Sequence, residues 1–366
     1  MSVSGLRILL VGPLPPPAGG MASLTRQLAD LLDGEGARVE LVQNNAPYRP
    51  AWAGRLPGLR ALFRLVPYLV ALWRACGRAQ LMHLMANSGW SWHLFAAPAI
   101  WIARLRGTPV IVNYHGGEAA AFLKGAARWV LPSLRQAQAV VVPSGFLVEV
   151  FARYGVAARI VPNVVDLQLF TPRSAVQQGA DAPHILVARN LEAIYGVDVA
   201  LKAFARLVGV FPGARMSVTG SGPAQASLAA QAEALGIADK VHFTGRLERA
   251  RMAELFRSAD ILLNPSRADN LPGALLEALA SAVPVVATQV GGVPHVVEHG
   301  RTALLVPVDD DLAMADAMLT LLRDTALAAR LVEAGRAQVA RYEWKSVRPQ
   351  LLAEYRAVLQ SGDAIV

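Results

Sequence analysis

The chain is poor in cysteine, in charge and in long apolar runs, and each shortage removes a class of protein. Cys76 is the sole cysteine, so no internal disulfide can form, which suits a reducing cytosol. Charged residues are 17% of the 366 and apolar residues 54%, which excludes a disordered chain. That length holds material for about two domains, each with its own core. The longest apolar runs, residues 65–73 and 94–103, are about half the roughly 20 residues that a membrane-spanning helix needs. Residues 8–11 are too short for the apolar core of a secretory signal and run straight into a Pro-Gly loop.

Acidic side chains are missing from one long stretch. Residues 41–117 contain no Asp or Glu, yet hold Arg49, Arg55, Arg60, Arg64, Arg74, Arg78, Arg104 and Arg106. A field of one sign over that much surface calls for an anionic partner. Within it Leu59, Leu62, Phe63, Val66, Leu69, Val70 and Trp73 recur at helical spacing, with Pro67 placed to kink the helix. Two readings of region 49–78 stand: a basic amphipathic helix for an anionic membrane surface, or a core-facing helix with a solvated arginine face. No nucleic-acid motif accompanies the charge, so nucleic acid is not expected as a partner.

What is there is densest in residues 260–307, DILLNPSRADNLPGALLEALASAVPVVATQVGGVPHVVEHGRTALLVP. Residues 261–263 form a short apolar run stopped at Asn264-Pro265-Ser266, which predicts a buried strand and a turn. Pro272 suits the first position of a helix, and Leu275, Leu276 and Leu279 continue at helical spacing. Asp269 is thus expected in the loop and Glu277 on the helix. A second apolar strand follows at 283–287, and Gly291-Gly292 after it would let backbone approach a ligand. Open α/β sheets bind ligands in this kind of setting. A carboxylate accepts paired hydrogen bonds from vicinal sugar hydroxyls, and a helix N-terminus offers N–H groups to phosphate.

This run resembles the donor-binding signature of glycosyltransferase family 4, whose members are retaining enzymes of the GT-B fold. The resemblance implies that Glu277 holds the nucleotide ribose, while Asp269 and the backbone of Asn270, Leu271, Pro272 and Gly273 face the donor sugar and diphosphate. The first acid of the family pair is usually Glu, so Asp269 is a shortened version. Where the family commonly has Glu after the glycine pair, this chain has His295, and no role is carried to it.

Read from its start, the chain predicts a strand at 6–11, a loop ending in Gly19-Gly20, and a helix through Met21, Leu24, Leu28, Leu31 and Leu32. The loop is not the G-x-G-x-x-G of a dinucleotide site. The resemblance implies that Gly19 and Gly20 approach the donor diphosphate. A strand at 81–84 contains His83, expected to be buried or structural. His115 stands at the end of a strand at 110–113, where the family places a histidine beside the donor sugar. Residues 171–183 are polar and aperiodic, as a linker should be. After them a strand at 184–188 delivers Arg189, whose guanidinium can pair two phosphate oxygens. The family's second basic residue, usually Lys before Gly, is Tyr195 before Gly196 here; its hydroxyl can still bond a phosphate. The resemblance implies that backbone near Arg246 and Leu247 meets the base. Residues 312–339 read as an Ala- and Leu-rich helix, and a last helix spans 347–359.

Together these imply an α/β chain of the GT-B fold, two Rossmann-like domains facing each other across a cleft. Residues 1–168 would bind acceptor, 169–345 the nucleotide-sugar, and 346–366 would cross back to the first domain. The catalytic residues carried over are His115, Arg189 and Asp269. The expected activity is metal-independent transfer of a sugar from a UDP- or GDP-sugar to a saccharide or lipid-linked acceptor, with no cofactor, at the inner face of the cytoplasmic membrane. Two other classes share the architecture: a non-catalytic membrane-binding protein and a sugar-nucleotide epimerase.

Overall fold

The computed structural model describes residues 3–16, 20–48, 50, 52, 60–173 and 182–362. Gly19, Arg49, Arg55, Leu59, the side chain of Arg60 and most of the linker at 171–183 lie outside the described residues. Contacts divide the chain into two compact units, one running to Asn163 and resuming at Val347, the other Val164–Ser346.

Each unit is built on a parallel six-stranded sheet. The first contains β1 (Arg7–Gly12), β2 (Arg38–Gln43), β3 (Leu81–Ala86), β4 (Val110–Tyr114), β5 (Ala139–Val142) and β6 (Ala158–Ile160), in the order β2-β1-β3-β4-β5-β6. The second contains β7 (His184–Ala188), β8 (Arg215–Thr219), β9 (Val241–Gly245), β10 (Ile261–Asn264), β11 (Val285–Thr288) and β12 (Leu304–Val306), in the order β12-β11-β10-β7-β8-β9. The chain reverses its direction of travel across each sheet once, between β1 and β3 in the first and between β7 and β10 in the second. Ligands of open α/β sheets bind beyond the carboxyl ends of the strands at such a reversal.

The central strands are continuous apolar runs because both of their faces are covered. In the first unit Leu9 and Val11 pack with Leu72, Ile100, Leu123 and Phe151 from four helices on one face, while Leu10 and Met85 meet the helix Gly20–Gly34 on the other. In the second, Val187 and Val218 pack with Phe204, Leu207, Met314 and Met318, and Leu186 and Leu262 with Phe256, Leu275 and Leu279. The final helix, Trp344–Gly362, belongs to the first unit from Val347 onward. Its Tyr355 hydroxyl lies 2.9 Å from His83 Nδ1 inside the core, and Glu354 accepts from Arg159 at 2.5 Å.

Two local expectations are corrected. Residues 312–339 are not one helix: Asp311–Arg323 ends at Asp324, whose carboxylate accepts from Leu327 N–H at 2.8 Å and starts a second helix, Thr325–Val339. An aspartate that caps from outside the helix interrupts a run that periodicity alone would continue. Pro272 sits one residue before the helix, with ψ of 118°, and the helix itself is Gly273–Ala280.

Candidate active site

The reversal between β7 and β10 brings Arg189, Asp269 and Glu277 of the second unit into one neighbourhood. Arg189 leaves the end of β7, and its N–H donates to Thr219 O at 3.0 Å, so its stem is anchored in line with the sheet. Its Nε donates to Asn264 Oδ1 at 2.6 Å, and Nη2 donates to both Asn264 Oδ1 and Asp269 Oδ2. Asn264 closes β10 and is 1% exposed. The Tyr195 ring lies with its centroid 5.5 Å from the Arg189 guanidinium carbon, a cation–π contact. The position where the resemblance expects a lysine charge is therefore a ring face against the neighbouring arginine.

Asp269 sits in the loop after β10, and its carboxylate is heavily used. Oδ2 accepts from Arg189 and from Ser266 Oγ at 3.1 Å, and Oδ1 accepts from the N–H of Asn270 at 3.0 Å. Gly291 and Gly292 press on this loop. A Cβ on Gly291 would stand 2.1 Å from Asp269 O, and one on Gly292 1.8 Å from Asn270 O, while Gly292 N–H donates to Asp269 O at 2.9 Å. The sequence reading gave this glycine pair a close approach to ligand; the close approach found is to the acidic loop itself. Glycine is required there because the second loop must touch the backbone of the first. Arg267 clamps the same loop from outside, donating to both carboxylate oxygens of Asp198 at 2.9 and 2.8 Å and to Asp309 at 2.7 Å. Burial would raise Asp198, but the bonds and charge of Arg267 bring it below its ordinary value.

Glu277 lies one helix turn inside Gly273–Ala280 and contrasts with Asp269. Its carboxyl makes no hydrogen bond or ion pair to any described residue. Burial pushes it up to about 7, against the pull of Arg249 and then Arg189. An unpartnered acid held near neutrality within the field of two arginines is an acceptor in waiting. Asn270 and Leu271 are buried, whereas Gly273 opens the helix with free space around its Cα. Arg246 is exposed and Leu247 half-buried in the loop after β9. His295 is exposed on a single helical turn, Val293–Val296.

In the first unit, Gly20 opens its helix at φ +50°, and His115 follows β4 with its N–H donating to Ala86 O at 2.9 Å. Burial lowers the His115 imidazole to about 4, so it is neutral at pH 7. His83 is fully buried: Asn113 Nδ2 donates to its Nε2 at 3.1 Å, leaving Nδ1–H for the Tyr355 hydroxyl. Burial first and His115 second lower His83 to about 3, which makes it the structural histidine expected. Thus Arg189, Tyr195 and Asp269 meet directly, with Asn270 bonded to Asp269 and Glu277 in the same field. Gly20 and His115 belong to the other unit. Asn264, Ser266 and Arg249 were not singled out from sequence; a polar residue closing an apolar strand was the available signal for Asn264. Among the described residues no three His, Cys, Asp or Glu side chains cluster as a metal site.

A family profile for glycosyltransferase family 4 matches residues 18–169, and one for glycosyl transferases group 1 matches residues 173–338. The two adjoin a few residues beyond the border between the units, which lies after Asn163. This chain belongs to glycosyltransferase family 4. Among curated relatives of this family 4 enzyme, the D-inositol 3-phosphate glycosyltransferase of Segniliparus rotundus is 28% identical, over 94% of this chain and 86% of its own. The phosphatidyl-myo-inositol mannosyltransferase of Mycobacterium leprae is 26% identical over 95% of each. Sucrose-phosphate synthase from Thermosynechococcus elongatus superimposes with a TM-score of 0.77 over 97% of this chain and all of its own, at 22% identity. The Anabaena protein HepE, solved with UDP and glucose, does so with a TM-score of 0.76 over 96% and 99%, at 19% identity. At those identities the likeness shows the fold, which is GT-B.

Proposed function

We propose that this glycosyltransferase moves a hexosyl group from a nucleotide-sugar, UDP- or GDP-linked, to a saccharide or inositol-lipid acceptor with retention of configuration. One observation carries the reading: Arg189 and an unpartnered Glu277 stand at the strand reversal of the second unit, where an anion and a ribose could be held together. Arg189 would neutralise the leaving diphosphate with Tyr195 beside it. The backbone of Asn270 to Gly273 would receive the phosphates, Glu277 the ribose hydroxyls, and the loop of Arg246 and Leu247 the base. Arg189 and aligned N–H groups would stabilise the negative charge that develops on the departing diphosphate, so the proposed reaction calls on neither metal nor cofactor. His115, neutral and buried, and Gly20 would serve the donor from the first unit. Inositol enters through the names of the two curated relatives.

The acceptor would be met at an anionic membrane surface. Trp52, Trp73, Trp90, Trp101 and Trp129 are all exposed, all in the first unit, and Leu62, Val66 and Val70 are exposed on the helix Arg60–Cys76. The Arg106 guanidinium lies 5.0 Å from the Trp73 ring centroid, so cation and aromatic share one face. Tryptophan with arginine is the composition of an interfacial surface. No described helix is long and apolar enough to cross a membrane. Peripheral attachment at the inner face of the cytoplasmic membrane belongs to the same proposal, and the exposed tryptophans with arginine support the attachment.

A thermal-shift series with UDP, GDP, ADP and their sugars tests the donor reading, with Glu277→Ala as control. A ligand at a hundred times its Kd should stabilise the second unit by about 2.7 kcal/mol. The expected outcome is one nucleotide that stabilises the native chain and not the variant. Stabilisation by none would overturn the reading.

A further inference from the structure

The two acids of the donor motif are in opposite states. The Asp269 carboxylate has three donors on it, two on Oδ2 and one on Oδ1, and all three come from the protein. Little acceptor capacity is left for the hydroxyls of a sugar. What it does hold is Arg189, and that pair is removed from water, the two side chains being 11% and 12% exposed. Asn264 completes the arrangement by accepting from both Nε and Nη2 of the same guanidinium. One edge of the guanidinium is thus held by the protein, and Nη1 is left with no bond to a described residue.

We propose that Asp269 is a positioning residue and resident counter-ion for Arg189: it orients the guanidinium in the free enzyme and is the anion against which a donor diphosphate competes. The proposal rests on Arg189 being the diphosphate ligand. A buried arginine without an anion would be costly, and a carboxylate one methylene shorter than Glu, tied down by Ser266 and the Asn270 N–H, supplies one. When a diphosphate arrives, its oxygens meet a cation already half neutralised. Binding is weakened, and so is retention of the nucleoside diphosphate product. The counter-ion therefore has a kinetic consequence: product leaves more readily than it would from an uncompensated arginine.

The test separates charge from shape. Asp269→Asn keeps the side-chain oxygen for Ser266 or the Asn270 N–H and removes the charge; Asp269→Glu keeps the charge and changes the reach. Titration calorimetry would measure the Kd of the nucleoside diphosphate that stabilises the native chain, and of its sugar. With the counter-ion gone, Asp269→Asn should bind nucleoside diphosphate about tenfold more tightly, and Asp269→Glu should stay near the native value. Product inhibition in Asp269→Asn should deepen in parallel. If instead Asp269→Asn leaves nucleoside diphosphate binding unchanged and selectively weakens the nucleotide-sugar, the carboxylate is a sugar ligand and the proposal falls. Equal weakening of both ligands by both variants would show a purely structural loop residue and would also overturn it. Failure of the native chain to bind any nucleotide is a different result, and it removes the donor reading itself.

Discussion

The two units share an architecture and differ in where they keep their charge. Both are six-stranded parallel sheets, but the first reverses after two strands and the second after three. At its reversal the second unit holds an arginine, two carboxyls and an amide within one network or field. The first unit instead joins its buried polar groups without charge: His83, Asn113 and Tyr355 are linked by uncharged hydrogen bonds inside the core, and Ser88 Oγ lies 2.7 Å from the Tyr114 hydroxyl near the strand ends. Its charge lies outside, among exposed tryptophans. An identical layer arrangement thus carries a charged network at the strand reversal of one unit and exposed tryptophan with arginine on the other, because strand ends and helix faces are set by different residues.

That contrast can be broken most directly at Arg189. Arg189→Ala should lower the transfer rate by about a hundredfold to a thousandfold, the scale for removing one group that stabilises developing negative charge. Initial-rate measurements with the nucleotide-sugar found by thermal shift would show it, and a loss under about tenfold would take the arginine out of leaving-group stabilisation. Next is the outer face. The pair Trp73→Ser with Trp101→Ser should weaken co-sedimentation with anionic phospholipid vesicles by about tenfold. Val210→Ser with Leu312→Ser, exposed apolar positions of the second unit, should leave it unchanged. Equal losses from both pairs would erase the distinction between the units.

The smallest effect concerns Glu277 and its pH dependence. Its folded value of about 7 lies above the ordinary 4.5, so the native state binds the proton more tightly than the unfolded chain does. Ionising it therefore costs stability as pH rises from the ordinary value, and the cost is complete above the folded value. Glu277→Gln should melt alongside the native chain in acid and be more stable by about 1 kcal/mol at about pH 8, allowing for partial solvent screening. Nucleotide affinity of the native chain should rise over the same window, because the ionised form is the better acceptor for ribose hydroxyls. A difference in melting temperature that does not vary with pH would show that Glu277 does not titrate there.

Much of this was legible in the residues. Apolar runs at 261–263 and 184–188 announced strands, and Arg189 at the end of the second announced a charged site residue; Asn264 at the end of the first signalled only a turn. The acid in the loop and the acid on the helix were placed correctly from one proline and three leucines. What periodicity missed, it missed for physical reasons. Asp324 splits a continuous Ala- and Leu-rich pattern because capping depends on one side chain reaching a backbone N–H, which no hydrophobic period records. The glycine pair at 291–292 was given to a ligand because sequence shows only that backbone must come close, and not to what.

By itself the sequence determined two α/β units, the strands and helices that build them, and the residue types able to meet an anion and a ribose. Local pattern carries that information, since burial on two faces and helical spacing are read within a few residues of each other. Only the tertiary structure decided which of the two acids is spent. Arg189 and Asp269 are 80 positions apart and meet because β7 and β10 are neighbours in the sheet. Glu277, half-buried on the following helix, feels Arg249 and Arg189 but bonds no described residue.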